Sequence, residues 1–420
     1  MNNFRFTKII ASVSPILAKE TVLSKIINTV DAFTITLSRG FDDNNKKYID
    51  TLMKLDNSKT IILETKGNEI RVKNTGDVPI QKGQMITIDY SEYSQESDQK
   101  IYIDYAHLEK LPIGAPIEFE HSQVIAEVVE KKEDYAKCKI IEAHTNKILQ
   151  YDRVTLQHYE EETSELIERD KKDILRGLEY GTHIIALSIC HDKHHVQNTK
   201  KFLKEQHHPE MKVFAKIETQ YGLEHINEII EVADGIILVA DMIQEFLTKQ
   251  TIEQVIKNIR AKGIPVLINY CRKQGSKENP LFQTETIKKL CEVGTDGIML
   301  EPLIVEDDVL EFVNKLDTEL EKYELTLEQK QIERFDEEEF EVRDYIIYNA
   351  YRITKELDIK AIVCFTENGY TSARIASLNP NVPVITFTKS NDTYRFLNLI
   401  WGVKGYKISQ SFNYENLKRI

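Results

Sequence analysis

Thr60-Ile61-Ile62-Leu63-Glu64-Thr65-Lys66-Gly67-Asn68-Glu69-Ile70-Arg71 is the stretch on which the fold turns. A short apolar run passes directly into a cluster of charged and polar side chains. Such a run, bounded by polar text, is the pattern of a strand buried on both faces. The charged cluster then lies at the strand's C-terminal end. Comparable apolar runs recur on both sides: Lys8–Val13, Ala32–Leu37, His183–Ser188, Met211–Ile217, Gly235–Val239, Pro265–Asn269 and Gly297–Leu300. With Thr60–Leu63 they make eight candidate strands. Most are followed by an amphipathic stretch, as at Asn44–Leu55, Val196–Gln206 and Ile252–Lys262. Alternating apolar strands and helices require a parallel sheet covered by helices. Eight such units predict an α/β fold, a (β/α)8 TIM barrel, with its chemistry at the C-terminal ends of the strands.

The alternation is interrupted once. From residue 73 to about 154 the text alternates with period two, as in Met85-Ile86-Thr87-Ile88-Asp89-Tyr90 and Lys100-Ile101-Tyr102-Ile103-Asp104. This predicts a β-rich domain, 73–154, inserted after the third strand of a barrel built from 1–72 and 155–335. A charged stretch from Asp317 to Glu339 reads as a solvated helical linker. A shortened α/β domain, 336–420, follows: a helix near Val342–Leu357, then strands at Ala361–Phe365, Val384–Thr388 and near Tyr406–Ile408, with a loop between the first two.

Composition narrows the function. The net charge of −13 argues against nucleic acid and anionic membranes as partners. No apolar run reaches the roughly 18 residues of a membrane span, and the N-terminus has no signal-peptide core. Five scattered cysteines without a CxxC pair suit a reducing, cytoplasmic setting. His191 and His195 have i, i+4 metal-ligand spacing, but with no third ligand in view they read as a solvated loop or helix start. Lys216 and Glu218, two apart at a strand end, project from one face. A lysine there can stabilise a transferring phosphoryl group, and a carboxylate can hold Mg²⁺.

Thr60–Arg71 closely resembles the pyruvate kinase signature L-D-T-K-G-P-E-I-R, and the order barrel, β insert, barrel, α/β domain is that family's layout. The resemblance covers most of the chain and makes Phe214-Ala215-Lys216-Ile217-Glu218 the catalytic strand. Lys216 then matches the catalytic lysine and Glu218 one Mg²⁺ ligand. Asp241, in Val239-Ala240-Asp241-Met242-Ile243-Gln244, would be the second ligand, although the family's A-R-G-D-L-G has lost its arginine and glycines here. Arg71 is retained. Thr36, Ser38, Glu64 and Thr65 fall on the K⁺ site, with Thr36 replacing an asparagine and Glu64 an aspartate. Thr34 replaces a phosphate-contacting arginine, and Arg39 replaces a histidine near the nucleotide. Tyr270 replaces a threonine implicated in proton handling, and its phenol is expected to fill substrate space. The loops Asn279–Thr286 and Glu301–Val305 have lost their family text. In the last domain, Thr366, Asn368, Gly369, Thr371 and Ser372 are remnants of a loop that binds a sugar-phosphate effector in many relatives. Simple helix capping by Thr371 and Ser372 is the expectation for them here.

The resemblance implies three functional readings. The favoured one is a catalytically inactive or impaired pyruvate kinase homologue, a structural or regulatory subunit of a hetero-oligomer with an active homologue, or a homo-oligomer. The second is an active, divergent enzyme moving phosphoryl from phosphoenolpyruvate to ADP with Mg²⁺ and K⁺. The third is a nucleotide- or anion-binding module without turnover. If activity is absent, no cofactor is needed.

Overall fold

The computed structural model describes residues 4–13, 19–37, 43–91, 93, 95–97, 100–120, 122–132, 135–156, 164–247, 250–270, 284–300, 306–326 and 342–409. They form two compact units. One comprises the described residues up to Thr65 and from Ser164 onward; the other runs from Lys66 through the last strand of the insert.

The first unit contains a closed barrel of eight parallel strands: Lys8–Ser12, Ala32–Thr36, Thr60–Glu64, Ile184–Leu187, Lys212–Ile217, Gly235–Val239, Val266–Asn269 and Gly297–Leu300. Each strand pairs with its neighbour in sequence, and the eighth closes on the first through Lys8↔Gly297 and Ile10↔Met299. Alternation sorts the side chains. Ile9, Ala11, Phe33, Ile35, Leu63, Val213, Ala215 and Leu238 face the surrounding helices. Ile10, Ala32, Ile62, Ala186, Phe214, Ile237, Leu267 and Met299 fill the interior. Inner rings of this size need room. A Cβ on Gly235 would stand 2.4 Å from the Phe214 ring, and one on Gly297 2.6 Å from Ile10 Cδ1.

The last barrel helix runs over Glu306–Thr326 and buries Phe312, Val313, Leu316 and Leu320. Asp317 pairs with Arg5, and Glu324 accepts the Phe6 and Thr7 N–H groups. Residues 317–326 are therefore packed helix rather than solvated linker; 327–341 lie outside the described residues. The C-terminal segment forms a three-stranded parallel sheet, Ile362–Phe365, Val384–Thr388 and Val403–Lys407. Its crossovers are the helices Tyr370–Ser377 and Asn391–Leu397. The sequence reading expected only a helix start near Thr371 and Ser372 and left the second helix unassigned, but parallel neighbours require crossovers. This segment packs under the barrel: the Phe214 and Phe396 rings meet edge-on at 6.1 Å, and Lys8 Nζ donates to Val403 O at 2.8 Å.

Among its described residues the second unit is all β apart from one 3₁₀ turn, with a seven-stranded sheet and a two-stranded ribbon. Its core includes Val72, Ile88, Ile101, Phe119, Val128 and Ile140. No described helix of the chain is long and apolar enough to cross a membrane.

Candidate active site at the barrel mouth

One layer above the apolar interior, the inward positions turn polar. The registers Ser12↔Thr34 and Thr36↔Glu64 set these side chains beside one another. Lys216 stands two residues beyond Phe214 on the same inner row. The Ser12 and Thr34 hydroxyls share a hydrogen bond of 2.8 Å. Thr36 donates its hydroxyl proton to Glu64 Oε2. The other Glu64 oxygen lies 2.9 Å from Lys216 Nζ, whose distance to Glu218 Oε1 is 3.9 Å. Glu218 Oε1 also accepts the Ile189 N–H at 3.0 Å. Thr65 donates its N–H to Ala186 O, and its hydroxyl accepts the Ser188 N–H at 3.1 Å.

The parity argument thus places Lys216 and Glu218 together at the mouth. It also puts Thr34, Thr36 and Glu64 on the inward row, while Thr65, one residue on, has the other parity and is bound to the neighbouring strand. Ser38, with Arg39 and Gly40, lies outside the described residues, as do Glu301–Val305 and 271–283. Arg71 belongs to the other unit, where it donates to Glu69 Oε1 at 2.6 Å and Tyr151 O at 2.9 Å.

Tyr270 departs from expectation. Asn269 and Leu267 occupy the inward row, so Tyr270 falls on the opposite parity and packs against the cluster outside the barrel wall. Burial, with the nearby charges of Glu253 and Asp241, pushes its phenol up to about 12. Asp241 stands in the first turn of the short helix Ala240–Ile243.

Asn269 was not foreseen as a site residue. It is buried on the inward row, and among the described residues its side-chain oxygen has no hydrogen-bond partner. The available signal was a polar residue closing an apolar strand at inward parity.

Two further expectations change. His191 and His195 are buried rather than solvated, their rings 6.1 Å apart, and burial pushes His195 down to about 4. The helix there, Lys193–Glu205, is capped by Asp192 through the His195 N–H. Among the described residues no group of three or more His, Cys, Asp or Glu converges to hold a metal. In the C-terminal loop, Thr371 and Ser372 do not cap the helix. Gly369 is the N-cap, at φ 91°; Thr366 Oγ1 accepts its N–H, and Asn368 Oδ1 accepts that of Tyr370. Ser372 is fully buried against Thr386 and Cys364.

Of the donors that the resemblance assigns to K⁺, Thr36 gives its hydroxyl proton to Glu64, Glu64 faces the Lys216 ammonium, the Thr65 hydroxyl accepts the Ser188 N–H, and Ser38 lies outside the described residues. For Mg²⁺ the chemistry of Glu218 and Asp241 is right in kind, since hard cations take carboxylate oxygens.

The family description "Pyruvate kinase, barrel domain" matches residues 4–300, and "Pyruvate kinase, alpha/beta domain" matches 344–419. A pyruvate kinase of Staphylococcus epidermidis is 25% identical over 420 residues, covering 95% of this chain and 71% of its own length. One of Staphylococcus aureus is 24% identical over 424 residues, with the same coverage. A crystal structure of Cryptosporidium parvum pyruvate kinase superposes with a TM-score of 0.84 at 20% identity, covering 99% of this chain and 91% of that one.

Proposed function

We propose that this chain, which belongs to the pyruvate kinase family, transfers phosphoryl groups poorly or not at all and acts as a structural or regulatory subunit beside an active homologue. The observation that carries this is the Glu64–Lys216 pair: the lysine that should meet a phosphoryl group is held by a carboxylate of its own barrel. Phosphoryl transfer is mostly positioning and electrostatic stabilisation. Loss of one such stabiliser costs on the order of 10²–10³ in rate. Thr34, neutral and bonded to Ser12, adds no charge to replace what Lys216 withholds.

Association is supported by the helix Val342–Glu356. Val342, Ile346 and Ile353, with Leu357 just beyond, form an exposed stripe at helical spacing, Val342 being 78% and Ile346 67% exposed. Apolar stripes of this kind on a helix call for a covering surface. Retention of Lys216 and Glu218 side by side favours a second reading, an active but divergent enzyme using phosphoenolpyruvate, ADP, Mg²⁺ and K⁺.

A coupled assay with those four components decides between them. Turnover within about 1–10³ per second would establish the active reading. For the subunit role, co-expression with an intact homologue should give one co-eluting species, lost on Ile346→Asp. Separate elution, with unchanged kinetics of the homologue, would remove the partner.

A further inference from the structure

The β-rich unit holds a cavity of about 590 Å³ within its own residues, the size of a small-molecule site. We propose that this cavity binds a small aliphatic amine, its ammonium set against Glu120 and Asp152 and its carbon chain against the apolar wall.

The cavity lies where paired strands end. The pairing Phe119↔Val154 sets Glu120 and Asp152 just past adjoining ends of two antiparallel strands, and Val124 pairs with Ala143 on the next two. Phe119, Val124, Ala143 and Leu149 supply the apolar wall, which suits a methylene chain. Both carboxylates are on the lining. Each spends one oxygen on backbone: Glu120 Oε2 accepts the Arg153 N–H at 2.9 Å, and Asp152 Oδ2 the Leu149 N–H at 2.7 Å. The second oxygen of each accepts no hydrogen bond among the described residues, and it is the one left to meet a ligand. Asp152 is only 6% exposed, so water does little to satisfy its charge. The backbone fixes both positions in left-handed conformations that residues with a Cβ rarely adopt, φ being 41° at Glu120 and 66° at Tyr151. The charges around the cavity do not cancel. Lys147 pairs with Asp77 at 2.6 Å, and Arg71 and Arg153 share Glu69 at 2.6 Å and 3.7 Å. Three cations therefore stand against Glu69, Asp77, Glu120 and Asp152, which leaves one negative charge over. The ligand class follows from that single charge. A bare divalent ion wants more oxygen ligands than two carboxylates give, and among the described residues no group of three or more His, Cys, Asp or Glu converges. One ammonium on a short carbon chain matches the charge, the two free oxygens and the apolar wall together.

Saturation-transfer NMR titration of the full chain with n-hexylamine at pH 8 tests this. Asp152, which burial pushes up to about 7, is then ionised, and the amine is still protonated. Binding should saturate, and 1-hexanol, of the same shape without the charge, should bind on the order of tenfold or more weakly. Asp152→Asn and Glu120→Gln should each weaken the amine by a similar factor, the worth of one hydrogen bond to a charged group. Ala143→Leu, which fills the cavity and leaves every charge in place, should abolish binding. Absence of saturable binding by the unaltered protein up to about 10 mM amine would overturn the proposal. So would binding that survives Ala143→Leu or both carboxylate substitutions, since the amine would then sit on the acidic surface at large. Equal affinity for 1-hexanol would overturn the assignment of an ammonium. Far-UV circular dichroism checks that each variant is folded. Should Asp152→Asn fail that check, Glu120→Gln decides: unchanged affinity overturns the proposal, and weaker binding upholds it.

Discussion

Glu64 differs from the aspartate of the related signature by one methylene, and that methylene changes what the carboxylate reaches. From the third barrel strand it spans to Lys216 on the fifth while still accepting from Thr36 on the second. The effect of one added carbon on a side chain's reach was legible in the sequence; its target was not. Parity told which way Glu64 and Lys216 point, but their separation depends on the registers of the strand between them. Phe214 shows the same dependence one layer lower. Its ring occupies the space that Gly235 leaves on the next strand, so Gly235→Ala forces a contact of 2.4 Å with the edge of that buried ring. Overpacking of this kind typically costs about 1–3 kcal/mol. A urea unfolding curve should show a lower midpoint with unchanged slope; an unchanged midpoint would mean that the ring moves aside freely.

Between elements, Arg260, at the end of the helix Ile252–Ala261, makes a buried tie. Its guanidinium lies 2.8 Å from Asp296 Oδ2 and donates to Ala376 O and Asn379 Oδ1, both at 2.7 Å. Asp296 also accepts the N–H groups of Val266 and Trp401 at 2.9 Å. One fully buried pair therefore joins a barrel helix, two barrel strands and the C-terminal sheet. Arg260→Met leaves Asp296 buried without its counter-charge and should destabilise this unit by about 3–5 kcal/mol. Arg260→Met/Asp296→Leu should recover part of that loss in the same unfolding measurement, since no charge is then stranded. If both variants unfold like the unaltered protein, the tie is energetically idle. Of the two short C-terminal helices, the sequence suggested only a start for the first, and the second left no pattern. At eight and seven residues they are too short to form alone, and the crossover between parallel strands makes them necessary.

At the scale of the whole molecule, buried titratable groups in the two units contribute to stability with opposite pH dependence: His183 and His195 in one, Asp152 in the other. In the barrel unit, burial pushes His183 down to about 3 and His195 to about 4, from an ordinary 6.5. Their folded pKa values are depressed, so the folded unit refuses protons that the unfolded chain accepts. The contribution of these two histidines is full above 6.5 and falls as pH drops toward 4 and then 3, by up to about 1.4 kcal/mol per pH unit per histidine. His183 Nδ1 accepts the Ile61 N–H at 2.9 Å, which only the neutral ring can do. In the β-rich unit, burial pushes Asp152 up from 3.8 to about 7. Here the folded state retains a proton that the unfolded chain releases, so this unit weakens as pH rises from 3.8 to 7. Asp152→Asn should therefore stabilise the β-rich unit at pH 8 more than at pH 5. His195→Asn should flatten part of the acid limb of the barrel unit. Hydrogen exchange read separately for the two units checks both; a single common pH profile would contradict them.

The sequence by itself determined the barrel, the position of the insert and the face on which Lys216 and Glu218 project. Those follow from local periodicity: a strand's alternation depends only on its own residues, and eight apolar runs with helices between them admit few closures. Tertiary structure alone decided that Lys216 is held by Glu64, that Tyr270 lies outside the wall, that His191 and His195 are buried, and that Ser372 belongs to the core. Each of these depends on the register or packing of segments far apart in the chain. A distance between side chains on different strands is a property of the closed sheet, and no single stretch of sequence contains it.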